Sequence, residues 1–265
     1  FHADVRGVPC DSEGLIPDSL EAAIKVSLGQ GKTPKFIYTI PTFQNPLGWE
    51  MSLRRRRAIV EISQRYNVPI LEDDCYVELN YKKTNYPSIY SLDSSNSIIY
   101  VGSFSKIIGP GIRMGYIVAP DAILDKLRIV KSGGGVNQFA AIAIHRYATS
   151  TLNKDIVIRN DILKVKRDAM LQALTKYFNF DDKAKWSIPE GGLYIWLELN
   201  PKYDLVKLLP IAKQHSLSYQ PGIMFDPDSK SGKNCARLCF GYNQAEQIDP
   251  GIKLLSELVI KNHDL

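Results

Sequence analysis

The chain has 265 residues, 45% of them hydrophobic and 23% charged, with 33 Lys and Arg against 28 Asp and Glu for a net charge of +5. That is enough chain to bury a sizeable core, and the composition excludes a disordered protein. No apolar run reaches the length of a membrane span, and the small, dispersed positive excess does not indicate a nucleic-acid surface. Cys10, Cys75, Cys235 and Cys239 form no CxxC pair and no metal spacing. Reduced thiols in a cytoplasmic protein are the expectation.

Up to about residue 120, short apolar β-rich runs alternate with helical patterns. Asp4 to Pro9 predicts a strand. Pro17, at a first-turn position, opens a helix whose Leu20, Ala23, Ile24 and Leu28 share one face. Lys35 to Ile40 predicts a buried strand, ended by Pro41 and a polar loop. Ser52 is the N-cap of a helix running to about Tyr66, and its basic block Arg54-Arg55-Arg56-Arg57 reads as a solvated face. Val68 to Asp73, Ser97 to Val101 and Met114 to Val118 complete the strands. Strands apolar on both faces and separated by helices indicate a parallel sheet covered on both sides. Three helical stretches follow, the longest from about Lys154 to Phe178 without Pro or Gly. Leu193 to Leu199, Leu217 to Tyr219 and Ala236 to Phe240 read as strands with helices between, and a last helix spans about Gln244 to Ile260. The expected division is residues 1–153 as one domain, and 154–265 as a connecting helix and a smaller α+β domain.

Ligands of an open parallel sheet sit beyond the carboxyl ends of its strands. Asn45 follows the run KFIYTI, Asp73 and Tyr76 close VPILEDDCY, and Ser103, Ser105 and Lys106 follow SIIYV. Arg113 comes seven residues after Lys106. Two hydroxyls and an arginine around one lysine in a Gly-containing turn make a phosphate cradle with an amine in its mouth. That chemistry suits pyridoxal 5'-phosphate (PLP), whose aldehyde a lysine binds as a Schiff base. A carboxylate, Asp73, would keep the pyridine nitrogen protonated, and Asn45 and Tyr76 would donate to the phenolate oxygen. Neighbours on a strand face opposite sides, and the spacing to Tyr76 selects Asp73 over Asp74.

The order Asn, Asp-x-x-Tyr, Ser-x-Ser-Lys, Arg resembles the fold-type I PLP enzymes of the aminotransferase class I/II family. The strings YTIPTFQNPLG, LEDDCYVEL and VGSFSKIIGPGIRMGY are most similar to its 2-aminoadipate/kynurenine aminotransferase group, and PEGGLYIWLEL, SYQPG and ARLCFGY extend the likeness over nearly the whole chain. Leu47 stands where Thr is usual, and Cys75 lies at a variable position. The resemblance implies an α/β aspartate aminotransferase fold, here a partial large domain with a mainly parallel sheet plus a smaller α+β C-terminal domain. It makes Lys106 the Schiff-base lysine, Asp73 the pyridine partner, Asn45 and Tyr76 the ring-oxygen donors, and Ser103, Ser105 and Arg113 the phosphate ligands. Arg237 matches the arginine that holds the substrate α-carboxylate. The implied reaction moves an amino group between an amino acid and a 2-oxo acid, in a homodimer. Two other readings stand beside it. One is the PLP-binding effector domain of a winged-helix transcription regulator, in which the same strings occur and which would contact nucleic acid only through an upstream winged-helix domain. The other is a PLP-dependent lyase or synthase, since the same cofactor chemistry permits elimination. The family's Gly-rich phosphate turn and stacking aromatic find no match here, so the expectation is the C-terminal part of such an enzyme, with weak cofactor binding on its own.

Overall fold

Strand alternation, rather than uniform burial, organises the first sheet of the computed structural model, which describes residues 3–82 and 87–264. The chain divides into two compact units. The first holds Val8–Gln44 and Glu50–Arg159; the second holds residues 3–7, Asn45–Trp49 and residues 160–264.

The first unit opens with a hairpin of β1 (Cys10–Asp11) and β2 (Gly14–Leu15), then α1 (Pro17–Gly29), β3 (Ile37–Thr39), α2 (Leu53–Tyr66) and β4 (Ile70–Asp73). A short α3 (Ile89–Leu92), β5 (Ile98–Ser103), β6 (Gly115–Val118), α4 (Asp121–Val130) and α5 (Gln138–Ser150) follow, and α6 (Leu152–Tyr177) begins here. The sheet order is β3-β4-β5-β6, parallel through β5, with β6 antiparallel to β5. Ile37, Ile70 and Ile98 are paired across the three parallel strands and share one face. They belong to a buried cluster with Leu20 and Ile24 of α1, Ile59, Val60 and Ile62 of α2, and Ile89 of α3. Each such side chain stabilises the fold by about 1.5–3 kcal/mol.

The opposite face carries Tyr38, which is 53% exposed, so the run at 35–40 alternates instead of being buried throughout. In α1, Ser27 is buried with its hydroxyl on the Ala23 carbonyl, while Leu28 is exposed. The strand expected over Asp4 to Pro9 does not form; pairing starts at Cys10. Val5 is exposed, and an alternating run without a neighbour to take its N–H and C=O groups gains nothing from extending as a ladder.

The arginine block is not a solvated face. Ser52 caps α2, accepting from the Arg55 N–H, and the helix then turns Arg55 and Arg56 inward. Arg55 grips both Asp11 oxygens at 2.6 Å and the Gly14 carbonyl, fastening the hairpin to α2. Arg56 donates to the carbonyls of Met51, Pro87 and Pro41 at 3.0 Å and to Thr42 Oγ1 at 2.9 Å. It thus holds both stems of the loop between residues 41 and 51. Arg56→Met would strand several buried carbonyls at once and is expected to cost about 3 kcal/mol or more, whereas Arg57→Ala on the exposed side should stay within about 0.5 kcal/mol. Urea melts of the two variants check the contrast.

The second unit contains the rest of α6, then β7 (Lys185–Trp186), β8 (Tyr194–Glu198), α7 (Leu205–Gln214), β9 (Gln220–Pro221), β10 (Cys235–Cys239) and α8 (Ala245–Lys261). Its antiparallel sheet has the order β7-β8-β10-β9. Ile195, Leu197, Ala236 and Leu238 form the buried face of this sheet. Tyr194, Trp196 and Arg237 occupy the other face, as the two-residue period requires. The strand expected at 217–219 lies at Gln220–Pro221, because Tyr219 is drawn into the core with its hydroxyl on the Leu205 carbonyl. Among the described residues no helix is long and apolar enough to cross a membrane, and all four cysteines are free.

Candidate active site

Four of the candidate residues come from the single connection between β5 and β6. Ser103 pairs with Gly115 at the end of the ladder, and the Phe104 N–H reaches the Met114 carbonyl at 3.1 Å. Ser105 and Arg113 are each two positions past that last pair, on the two arms of the connection. Lys106 follows at once in a turn closed by the Ile108 and Gly109 N–H groups on the Phe104 carbonyl. Ser103 Oγ accepts the Ser105 N–H at 3.2 Å. After a 3-10 turn over Pro110–Ile112, Arg113 adopts a left-handed conformation (φ 51°) and donates to the Pro110 carbonyl at 3.2 Å. Glycine is required at Gly115, where a Cβ would lie 2.7 Å from the Gly102 carbonyl oxygen, whereas a Cβ on Gly102 would meet only the exposed Tyr116 ring.

Asp73 ends β4, one strand away. Tyr38, on the same face by register, donates its hydroxyl to Asp73 Oδ2 at 2.8 Å. Asp74 turns the other way, is buried, and accepts from the Tyr100 hydroxyl at 3.2 Å. Burial raises the Asp74 carboxyl, with the Arg56 guanidinium opposing. The Cys75 thiol is pushed up to about 12, by burial first and then by the Asp73 charge, while the Lys106 ammonium pulls it back. The Asp73 and Lys106 charges therefore both bear on Cys75. Tyr76 is buried, with Lys106 Nζ 5.9 Å from its ring centroid.

Behind this face, Glu72 is fully buried and accepts the Ile89 and Tyr90 N–H groups at 2.8 Å each. Burial raises its carboxyl from 4.5 to about 7 against those donors and Arg56. The native state thus holds this proton more tightly than the unfolded chain. The Glu72 contribution is most favourable below pH 4.5 and is lost as pH rises through 7, by about 3 kcal/mol. Glu72→Gln should flatten the stability profile between pH 5 and 7.5 in urea titrations; a variant with the parental slope would contradict this assignment.

Asn45 and Arg237 are brought together in the second unit. Arg237 Nη1 donates to Asn45 Oδ1 at 2.8 Å. The Asn45-Pro46 bond is cis, and the loop ends at Gly48 (φ +72°), where a Cβ would meet the Tyr194 carbonyl at 2.8 Å. The Arg237 guanidinium lies over the Tyr194 ring at 4.2 Å and 5.2 Å from that of Phe225. Sequence reading missed Tyr38, Tyr194 and Phe225. The alternation of KFIYTI and LYIW offered a signal, but only the strand register says which faces meet.

The first-unit set fits a phosphorylated aldehyde with a basic ring nitrogen. Two hydroxyls and a guanidinium suit a phosphate, an amine suits an aldehyde, and a carboxylate already tied to a phenol suits a protonated ring. Among the described residues no three His, Cys, Asp or Glu side chains cluster to hold a metal.

The model of the family Aminotransferase class I and II matches residues 2–253, and the chain belongs to that family. The chain is 37% identical over 255 residues to aromatic-amino-acid aminotransferase 1 of Thermococcus litoralis, covering 95% of this chain and 60% of that protein. It is 30% identical to YisV of Bacillus subtilis, described as an uncharacterized HTH-type transcriptional regulator, over 96% of this chain and 51% of that one. Pyrococcus horikoshii kynurenine aminotransferase, solved with PMP, kynurenine and product, superposes with a TM-score of 0.90 at 37% identity, over 96% of this chain and 63% of that one. The chain thus spans about half to three fifths of the length of the curated relatives it matches.

Proposed function

We propose that the protein is a PLP-dependent aminotransferase that moves an amino group between an amino acid and a 2-oxo acid. The observation that carries this reading is the β5–β6 connection, which carries Ser103, Ser105, Lys106 and Arg113 together, one strand away from Asp73 and with Lys106 Nζ 5.9 Å from the Tyr76 ring centroid. The cofactor, when bound, supplies an electron sink for the substrate's α-carbon. The protein's own groups do the rest. Ser103, Ser105 and Arg113 bind the phosphate, with Arg113 able to do so bidentately. Asp73 keeps the ring nitrogen protonated, and Tyr38 orients that carboxylate. Tyr76 and Asn45 donate to the ring oxygen; Asn45 spends its oxygen on Arg237 and keeps its amide N–H groups for donation. Lys106 anchors the cofactor and, when released, takes the proton from the substrate's α-carbon through Nζ. Arg237 binds the substrate carboxylate.

The same reading assigns residues 1–153 to cofactor binding and 154–265 to a connecting helix and substrate recognition, in a cytoplasmic homodimer. The relatives of higher identity are named as aminotransferases, which favours an enzyme over a regulator. Their names make aromatic amino acids the first donors to try. The test is incubation of the protein and PLP with phenylalanine and 2-oxoglutarate, reading glutamate and phenylpyruvate in equal amounts. Ammonia release without a new amino acid would favour a lyase. PLP binding without turnover on any amino donor would favour the regulator.

A further inference from the structure

Arginines on the face of a strand ordinarily have freedom about several side-chain bonds. Arg237 has lost much of it. The β8–β10 register sets Arg237 opposite Trp196, and Tyr194 is two residues along on the same face. The guanidinium carbon lies 4.2 Å from the centroid of the Tyr194 ring and 5.2 Å from that of Phe225. Phe225 is itself braced edge-on by Trp196, with centroids 5.9 Å apart at 78°. Arg237 Nε is buried without a hydrogen-bond partner among the described residues, and there it is the rings that pack against that end of the group. Nη1 is held by Asn45 Oδ1 at 2.8 Å. A stack limits tilt of the guanidinium plane and one hydrogen bond limits rotation within it, so the remaining donors keep a set direction.

We infer that Tyr194, supported by Phe225, is a positioning residue that presets the plane of Arg237 for bidentate capture of a substrate carboxylate. The inference rests on the reading of Arg237 as the carboxylate-binding group. A guanidinium ordered beforehand loses less freedom when the carboxylate arrives, and a ring face partly replaces water around the cation. The guanidinium meets the ring of Tyr194, so phenylalanine should serve in its place.

The test uses the PLP-loaded protein and 3-phenylpropionate, a carboxylate without an amino group, titrated by calorimetry. Tyr194→Leu should raise its Kd about tenfold, while Tyr194→Phe should stay within about twofold of the parent. Binding of 3-phenylpropan-1-ol, which lacks the carboxylate, should not distinguish the variants. In turnover, Tyr194→Leu should raise KM for every amino donor by a similar factor and leave kcat within about threefold. A merely structural role would instead lower the melting temperature and leave the carboxylate-specific difference unmoved. Arg237→Lys separates the two layers of the argument. If it weakens 3-phenylpropionate binding and Tyr194→Leu does not, the positioning role is wrong and the Arg237 assignment stands. If Arg237→Lys leaves Kd unchanged, the Arg237 assignment itself is wrong, and the positioning role with it. Should Tyr194→Leu not fold, Phe225→Leu, at a half-buried position, decides: about a threefold rise in Kd supports the inference, and an unchanged Kd overturns it.

Discussion

Lys106→Ala is expected to abolish amino transfer, lowering turnover by about four orders of magnitude or more. One amine is assigned two tasks, anchoring the cofactor and carrying the proton at the substrate's α-carbon, and loss of a positioned general base alone costs about 10²–10⁴-fold. The turn that carries Lys106 is closed by backbone hydrogen bonds from Ile108 and Gly109 to Phe104, so the substitution leaves its frame intact. Phosphate binding through Ser103, Ser105 and Arg113 should persist, giving a protein that still takes up PLP but does not retain it through dialysis. Borohydride treatment of the parent should fix a pyridoxyl group on the Lys106 peptide, seen by mass spectrometry, and on no peptide of the variant. A pyridoxyl label elsewhere in Lys106→Ala, with activity retained, would remove Lys106 from the centre of the site.

Asp73→Asn should cost about 10²–10⁴-fold in turnover, while Asp74→Asn should stay within about tenfold. The two carboxylates are adjacent in sequence and opposite in direction. Asp73 accepts from Tyr38 on the half-exposed face, and its charge bears on Cys75 together with that of Lys106. Asp74 is buried against Tyr100, on the face that Arg56 and Glu72 share. An amide at 73 keeps the shape and removes the charge that holds a proton on the ring nitrogen. Tyr38→Phe offers a graded companion, since it frees one Asp73 oxygen without changing its charge. Equal losses in Asp73→Asn and Asp74→Asn would contradict the assignment by strand direction.

Much of this protein is legible along the chain. Pro17 and Ser52 mark helix starts because the first-turn orphan N–H groups need a proline or a hydroxyl there, and both helices begin where those residues say. The apolar runs Val68 to Asp73 and Ser97 to Val101 mark strands β4 and β5, and the candidate residues lie at or just beyond their carboxyl ends. Local spacing also grouped Lys106 with its two serines and Arg113 as candidates, because they lie on or beside one connection. Tertiary structure decided the rest. Four arginines in a row look alike in composition, yet two are buried because Asp11 and the carbonyls of Pro41, Met51 and Pro87 converge on them from distant segments. Tyr38 meets Asp73 only through the β3–β4 register, and Tyr194 meets Arg237 only through that of β8 and β10. Asn45 falls in the unit of Arg237, 192 residues away, rather than with the strand that precedes it. Spacing along a chain encodes which faces a residue can share within its own element. Which faces meet is set by long-range pairing, and burial is a property of that pairing.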